Sequence, residues 1–440
     1  MNEIKEELLT KISSIKDNNN VYEFGKIIKI QDYIIEVSGL EGVSFFEKVE
    51  IDNKAIGYVS NISKNSIIVS LVKQTKPLVI GDIVKSQGET YKTYFIEQGI
   101  GRIIDIFGTD LLTGKKFVKT REINIENPTI PIMDRIAVER PLYTGLSGID
   151  LIYPIGKGQR QLIIGDKKIG KTQILLDTIA NQTKKKVVCF YIAIGKNKKE
   201  LKQIYDDLYK RGAMEYTIIL AACNDEKTPV LSLTPYAGLS MAEEYLKLGL
   251  DVLVCIDDLK RHANAYREIA LLIGKFPGRE AYPSDIFYTH SRLLEKGCQH
   301  KNGGSITILP VTETKAGDIT DYITTNIISI TDGQIVLSAN NFLKGEKPAI
   351  DYGLSVSRLG GAVQDDDIKV VGAKVRRELL SYLETKSVYE LANFDEMSDD
   401  LKKKILDGRM INQSLQQNKF SPLTKEEIIE KFSFLTGEEK

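Results

Sequence analysis

Gly165-Asp166-Lys167-Lys168-Ile169-Gly170-Lys171-Thr172 has the residue types and spacing of a phosphate-binding loop. Its two glycines let the backbone curl until successive N–H groups face phosphate oxygens. Lys171 can reach the outer phosphates of a nucleotide, and the Thr172 hydroxyl can coordinate magnesium. An apolar run, Gln161-Leu162-Ile163-Ile164, precedes the loop, and a helix-like stretch, Gln173 to Asn181, follows it. That strand–loop–helix setting separates a P-loop from a Gly/Lys-rich surface turn. A P-loop also needs a carboxylate at the end of another strand, to hold magnesium and its water. The run Asp251-Val252-Leu253-Val254-Cys255-Ile256-Asp257-Asp258 is an apolar strand ending in two carboxylates, with Asp257 the candidate magnesium partner.

The elements around these residues alternate. Strands are expected at 161–164, 187–194, 217–222 and 251–256, and helices at 172–182, 197–211 and 236–249. This rhythm predicts a parallel sheet flanked by helices, with ligands at the carboxyl ends of its strands. Between Val21 and Gln87 the pattern is shorter: β-branched runs at 24–30, 33–37, 54–59 and 66–72, punctuated by glycine or polar turns, predict a small barrel. After Gln364 the signal is helical and charged. Ile4, Leu8, Leu9, Ile12 and Ile15 fall on one helical face before the break at Asp17-Asn18-Asn19-Asn20, either packing on the chain itself or docking a partner. The expected division is therefore an N-terminal segment at 1–21, a β-barrel at 22–89, an α/β P-loop domain with a parallel sheet at 90–364, and an α-helical domain at 365–440.

A chain of 440 residues has room for two to three domains. Acidic and basic residues balance at 60 each, so charge gives no argument for a nucleic-acid or membrane-surface partner. No apolar run is long enough for a membrane span, and the N-terminus lacks a signal peptide's apolar core. A cytosolic protein, or one peripheral to a membrane spanned by something else, is expected. Cys189, Cys223, Cys255 and Cys298 lie far apart and are expected as buried, reduced thiols. His262, His290 and His300 show no metal-ligand spacing.

Several long, collinear stretches resemble the alpha subunits of F-type ATP synthases. They are Gly158-Gln159-Arg160-Gln161-Leu162-Ile163-Ile164-Gly165-Asp166, Asp257-Asp258-Leu259 with Ala265-Tyr266-Arg267, and Pro277-Gly278-Arg279-Glu280-Ala281-Tyr282-Pro283-Ser284-Asp285. Further on come His290-Ser291-Arg292-Leu293-Leu294-Glu295, Ile328-Ser329-Ile330-Thr331-Asp332-Gly333-Gln334-Ile335 and Gly353-Leu354-Ser355-Val356-Ser357-Arg358. The resemblance runs from about residue 22 to 425. It implies a β-barrel crown, a RecA-like nucleotide domain and a C-terminal helical domain. It also implies ATP or ADP with magnesium as ligands, and a ring alternating with beta-like catalytic subunits around a gamma-like shaft. A delta-like peripheral-stalk protein at the N-terminus and a place on the inner face of the cell membrane complete the implied setting. By the same resemblance Lys347-Pro348 and Gln417 belong to the adenine pocket. There are departures. Lys167 and Lys168 replace the family's Arg-Gln, Lys419 stands for a second glutamine of the base pocket, and a shortened C-terminus suggests a specialised paralogue.

Two positions bear on catalysis. Family beta subunits carry a glutamate after the glycine that follows the 187–194 strand, where it polarises the attacking water, and alpha subunits carry glutamine. Here Gly195 is followed by Lys196, an ammonium that donates hydrogen bonds and cannot orient water as an acceptor. Lys196 either faces solvent or leans on a nucleotide phosphate. Arg358, by itself a salt-bridge candidate, resembles in its Ser-Val-Ser-Arg context the arginine finger that alpha lends to its neighbour's catalytic site. Ser329 and Asp332 lie on the same interface stretch in the family. The resulting expectation is a non-catalytic nucleotide-binding ring subunit supplying Arg358 in trans. The alternatives are a self-sufficient hexameric ATPase of the flagellar or secretion type, which would keep the glutamate, and an adaptor with a vestigial P-loop.

Overall fold

The computed structural model describes residues 23–118, 120–389 and 399–435, so the segment expected at 1–21 lies outside the described residues. Two compact units are present: one runs to Lys92 and takes in Leu272–Gly274, and the other comprises Thr93–Leu271 and resumes at Lys275.

The first unit is a closed barrel of six strands. β1 (Phe24–Gln31), β2 (Ile34–Ser38), β3 (Glu47–Ile51), β4 (Ala55–Ile62), β5 (Ile67–Gln74) and β6 (Ile83–Thr90) pair in the order β1-β2-β5-β4-β3-β6, with β6 closing on β1. Alternation drives it: in β3, Glu47, Val49 and Ile51 face inward while Lys48 and Glu50 do not. Ile35, Val49, Val59, Val69 and Val84 are wholly buried, each contributing about 1.5–3 kcal/mol of transfer free energy. Closure leaves no unpaired strand edge.

The second unit is built on a ten-stranded sheet. Ahead of it, β7 (Lys92–Ile96) and β9 (Thr120–Asn124) form a separate ribbon. The sheet takes β8 (Ile103–Ile104), β10 (Arg135–Ile136), β11 (Leu162–Gly165), β12 (Val187–Lys196), β13 (Thr217–Cys223), β14 (Asp251–Asp257), β15 (Cys298–His300), β16 (Ser305–Glu313), β17 (Gly333–Val336) and β18 (Val356–Ser357). Its order is β18-β17-β11-β16-β14-β12-β13-β8, with β10 and β15 off the main path. The strands from β17 to β8 run parallel, and β18 lies antiparallel on β17. β12 and β14 are near-continuous apolar runs, as expected of strands covered on both faces.

The covering helices are α1 (Ser147–Ile152), α2 (Lys171–Ala180), α3 (Lys198–Tyr209), α4 (Thr228–Lys247), α5 (Leu259–Leu272), α6 (Ile286–Leu294), α7 (Tyr322–Ile330) and α8 (Ala339–Leu343). α4 begins earlier than the expected 236 because Pro235, which reads as a boundary in sequence, sits inside the helix. The C-terminal helices are α9 (Asp366–Tyr389), α10 (Asp399–Ser414) and α11 (Lys425–Lys431). Their buried residues, among them Val375, Leu379, Ile411 and Ile428, join the same hydrophobic cluster as Ile163, Leu175 and Tyr191. The architecture is thus a β-barrel, a parallel-sheet nucleotide-binding fold and C-terminal helices. All four cysteines are buried and unpaired with one another.

Candidate functional site

The P-loop connects the carboxyl end of β11 to the first turn of α2. Gly170 precedes the helix with φ 108°, a left-handed conformation that glycine adopts without steric cost. Lys168 holds φ 63°, which a side-chain-bearing residue rarely adopts, so the loop is bent on both sides of Ile169. Ile169 packs into the core and also borders the base cavity. The first-turn N–H groups of α2 have no intrahelical acceptors, and the positive end of the helix dipole faces the loop, which together favour an anion.

The charged side chains of the loop divide by role. Lys171 is buried, folded back so that Nζ donates to the carbonyls of Gly165, at 2.6 Å, and Asp166. Burial pushes its ammonium below the ordinary lysine value, opposed by the charges of Glu313, Asp258, Asp257 and Asp166. Asp166 anchors the loop to the end of β16: its Oδ1 accepts from Thr314 Oγ1 at 2.7 Å and from the Gly317 N–H at 2.9 Å. Lys167 is exposed and pairs with Glu313 at 3.4 Å.

Three side chains converge on Asp257 at the end of β14. Oδ2 accepts from the hydroxyl of Thr172 at 2.7 Å and that of Tyr191 at 2.6 Å, and it pairs with Lys196 Nζ at 3.0 Å. β12 carries both of the last two side chains. Gly195 at φ 64° makes the turn that precedes Lys196, and its carbonyl accepts from the Arg261 guanidinium. Burial alone would raise the Asp257 carboxyl. The Lys196 charge, with hydrogen bonds from Tyr191, Thr172 and Lys196, outweighs burial and holds it below the usual carboxylate range. Next door, burial and the charge of Asp257 push Asp258 up to about 6. Thr172 and Asp257 carry hard oxygen donors of the kind magnesium takes, but Asp257 Oδ2 is already filled by three donors, so the set as arranged does not fit that ion. The oxygen of Asp257 that receives the Thr172 hydroxyl also receives an ammonium.

Two cavities meet over the loop and share Lys168, Gly170 and Gln173. One, of about 440 Å³, runs past Lys171, Thr172, Lys196 and Asp257. The other, of about 390 Å³, is lined by Leu146, Ile174, Leu337, Phe342, Pro348 and Gln417, among others, and has room for a planar base. Lys347 sits over the Phe342 ring, 5.3 Å from its centroid. Gln417 is committed elsewhere. Its carbonyl accepts from Ser147 N at 2.6 Å and Ser147 Oγ at 2.8 Å, satisfying the start of α1, and its amide donates to Gly145 O and Ser421 O. It shapes the base cavity while its polar ends hold the C-terminal segment to α1.

Arg358 lies at the other end of the sheet. β18 pairs antiparallel with β17, and the Arg358 N–H donates to Asp332 O at 2.9 Å, beside the amino ends of the parallel strands. Asp332 N in turn donates to Arg160 O, and its carboxylate accepts from Arg160 N, Nε and Nη2 at 2.9, 3.0 and 2.7 Å. From Arg160 to Gly165 is about 16 Å of strand, so Arg358 and the P-loop occupy opposite ends of β11. The Arg358 side chain is exposed and makes no hydrogen bond or ion pair among the described residues. Ser329 is exposed on α7, its hydroxyl donating to Asn326 O.

Tyr191, Arg261 and Asp177 were not singled out from sequence. Tyr191 and Arg261 sit within an apolar strand and a charged helix with no motif around them. Asp177 lines the base cavity, accepting from Phe420 N at 2.7 Å and Gln173 Nε2 at 2.9 Å, and burial pushes its carboxyl up to about 6.

Residues 145–357 match the model of the ATP synthase alpha/beta family, nucleotide-binding domain. The chain is 40% identical over 425 residues to the ATP synthase subunit alpha of Macrococcus caseolyticus, covering 96% of this chain and 84% of that one. To the ATP synthase subunit alpha of Clostridium botulinum strain Hall it is 41% identical over 435 residues, 97% of this chain and 85% of the relative. To that of Syntrophomonas wolfei it is 40% identical over 446 residues, 99% and 87%.

Proposed function

The chain belongs to the ATP synthase alpha/beta family, and from that premise we propose that it is a nucleotide-binding, non-catalytic subunit of a rotary ATPase ring. The observation that carries this reading is Lys196. The end of β12 presents an ammonium, bound to Asp257, in the position from which a carboxylate would have to orient water. Glu313 also borders the phosphate cavity, but it is paired with Lys167.

In this role the P-loop, from Gly165 to Thr172, holds the phosphates of ATP or ADP, and Lys347, Pro348 and Gln417 border its base. Arg358 leaves the chain from the opposite end of the sheet, toward the catalytic site of a beta-like neighbour in an alternating hexamer. A gamma-like shaft would occupy the ring's axis. No helix among the described residues is long and apolar enough to cross a membrane, so attachment to a membrane would pass through such partners.

The test is turnover with and without a partner. Purified chain should bind nucleotide and release phosphate at no more than the rate of a Lys171→Ala control, and mixing with the beta-like subunit should raise turnover by at least about 10³. Robust hydrolysis by the chain alone would instead support the self-sufficient hexamer.

A further inference from the structure

Resting on the reading of the P-loop as a nucleotide site, we propose that Lys196 is a built-in cation that replaces magnesium, so that this chain binds a nucleoside di- or triphosphate as the metal-free anion. The argument starts from Asp257 Oδ2, which already receives Thr172 at 2.7 Å, Tyr191 at 2.6 Å and Lys196 at 3.0 Å. A carboxylate oxygen has about two lone-pair sites, so this one is saturated. Magnesium demands near-octahedral oxygens at about 2.0–2.1 Å and dehydrates reluctantly. To contact this oxygen it would have to displace a donor and stand beside an ammonium of like charge.

The strand end that carries the ammonium is fixed. Lys196 is only 13% exposed, and β12 pairs with β14 up to Ala193 and Asp257 and with β13 up to Lys196 and Cys223. Arg261 fixes the preceding carbonyl at Gly195. A polyphosphate entering the cavity finds Lys171, Lys196 and Lys168 in its lining, alongside the carboxylates of Asp257, Asp258 and Glu313. These ammoniums are part of the chain. They supply the neutralisation that a dication supplies elsewhere and need no free ion to do so. Because Nζ is a donor on a flexible stem, it can turn from Asp257 to a phosphate oxygen within one side chain's reach, leaving the carboxylate paired with Thr172 and Tyr191.

The experiment is calorimetric titration of the purified full-length chain with ADP and with ATP, in excess EDTA and again in millimolar magnesium. The wild type should show dissociation constants within about threefold of each other in the two buffers. Lys196→Gln, which keeps the length and loses the charge, should bind at least about tenfold more weakly in EDTA than in magnesium. Lys196→Arg, which keeps a cation, should remain insensitive to EDTA. Tenfold or greater weakening of the wild type in EDTA overturns the proposal, and that comparison stands even where a variant fails to fold. A Lys196→Gln chain as indifferent to EDTA as the wild type overturns the assignment to Lys196. Absence of binding in both buffers overturns the nucleotide-site reading itself, and the proposal with it.

Discussion

Arg358→Ala will lower ATP turnover of the ring reconstituted with a beta-like subunit by about 10³–10⁵, while this chain's own nucleotide affinity changes by less than about twofold. The size follows from what the guanidinium would do: stabilise the charge developing on transferring phosphoryl oxygens in a water-poor site, where a fixed cation acts far more strongly than in bulk water. The separation of the two effects follows from position. Arg358 lies beyond Ser357 at the amino ends of the parallel strands, whereas Lys171 and Thr172 lie at their carboxyl ends. Its backbone is steadied through Asp332, whose carboxylate is gripped by Arg160, so the exposed side chain projects from a fixed base. Arg358→Lys should recover little, because a point charge cannot reproduce the planar, two-pronged contact. Steady-state turnover of the assembled ring is the readout, and an unchanged rate would show that the finger lies elsewhere.

The second large effect is expected at Lys171. Replacement by alanine should weaken ATP and ADP binding by about 100-fold, since two charge-assisted hydrogen bonds to phosphate are worth roughly 3 kcal/mol together. The ammonium donates to the carbonyls of Gly165 and Asp166 and lines the phosphate cavity. Any rise in melting temperature that ATP gives the wild type should then vanish in the variant over the same concentrations, because stabilisation by a ligand follows its affinity. An affinity within threefold of the wild type would contradict the P-loop as the phosphate anchor.

How far these features could be read in advance depended on how local they are. The P-loop lies within one strand–turn–helix passage, and β12 and β14 are near-continuous apolar runs, so motif and strands are both legible. In the barrel, the runs at 24–30, 33–37, 54–59 and 66–72 correspond to β1, β2, β4 and β5. β3 and β6 are not legible: Glu47–Ile51 sets its two apolar residues between charged ones, and Ile83–Thr90 follows Ile83 and Val84 with only polar residues and a glycine. Pro235 concealed the first turns of α4.

The site's chemistry was less legible, because its key contacts join residues far apart in the chain. That Lys196 would meet Asp257 depends on the parallel pairing of Ala193 with Asp257, and no local pattern specifies it. Lys196 could be seen to lack an acceptor, but the sequence left open whether it faced solvent or phosphate. The use of Gln417 to satisfy the start of α1 is hidden for the same reason, as is the Arg160–Asp332 grip beneath Arg358.

The central claim is that this chain holds a nucleotide it does not hydrolyse while its neighbour turns over. The most direct measurement loads the chain with ATP labelled in the γ-phosphate, assembles it with the beta-like subunit, and runs the ring on unlabelled ATP. The label should remain on this chain as intact ATP through many turnovers of the ring. Release of labelled phosphate at the ring's own rate would contradict the account.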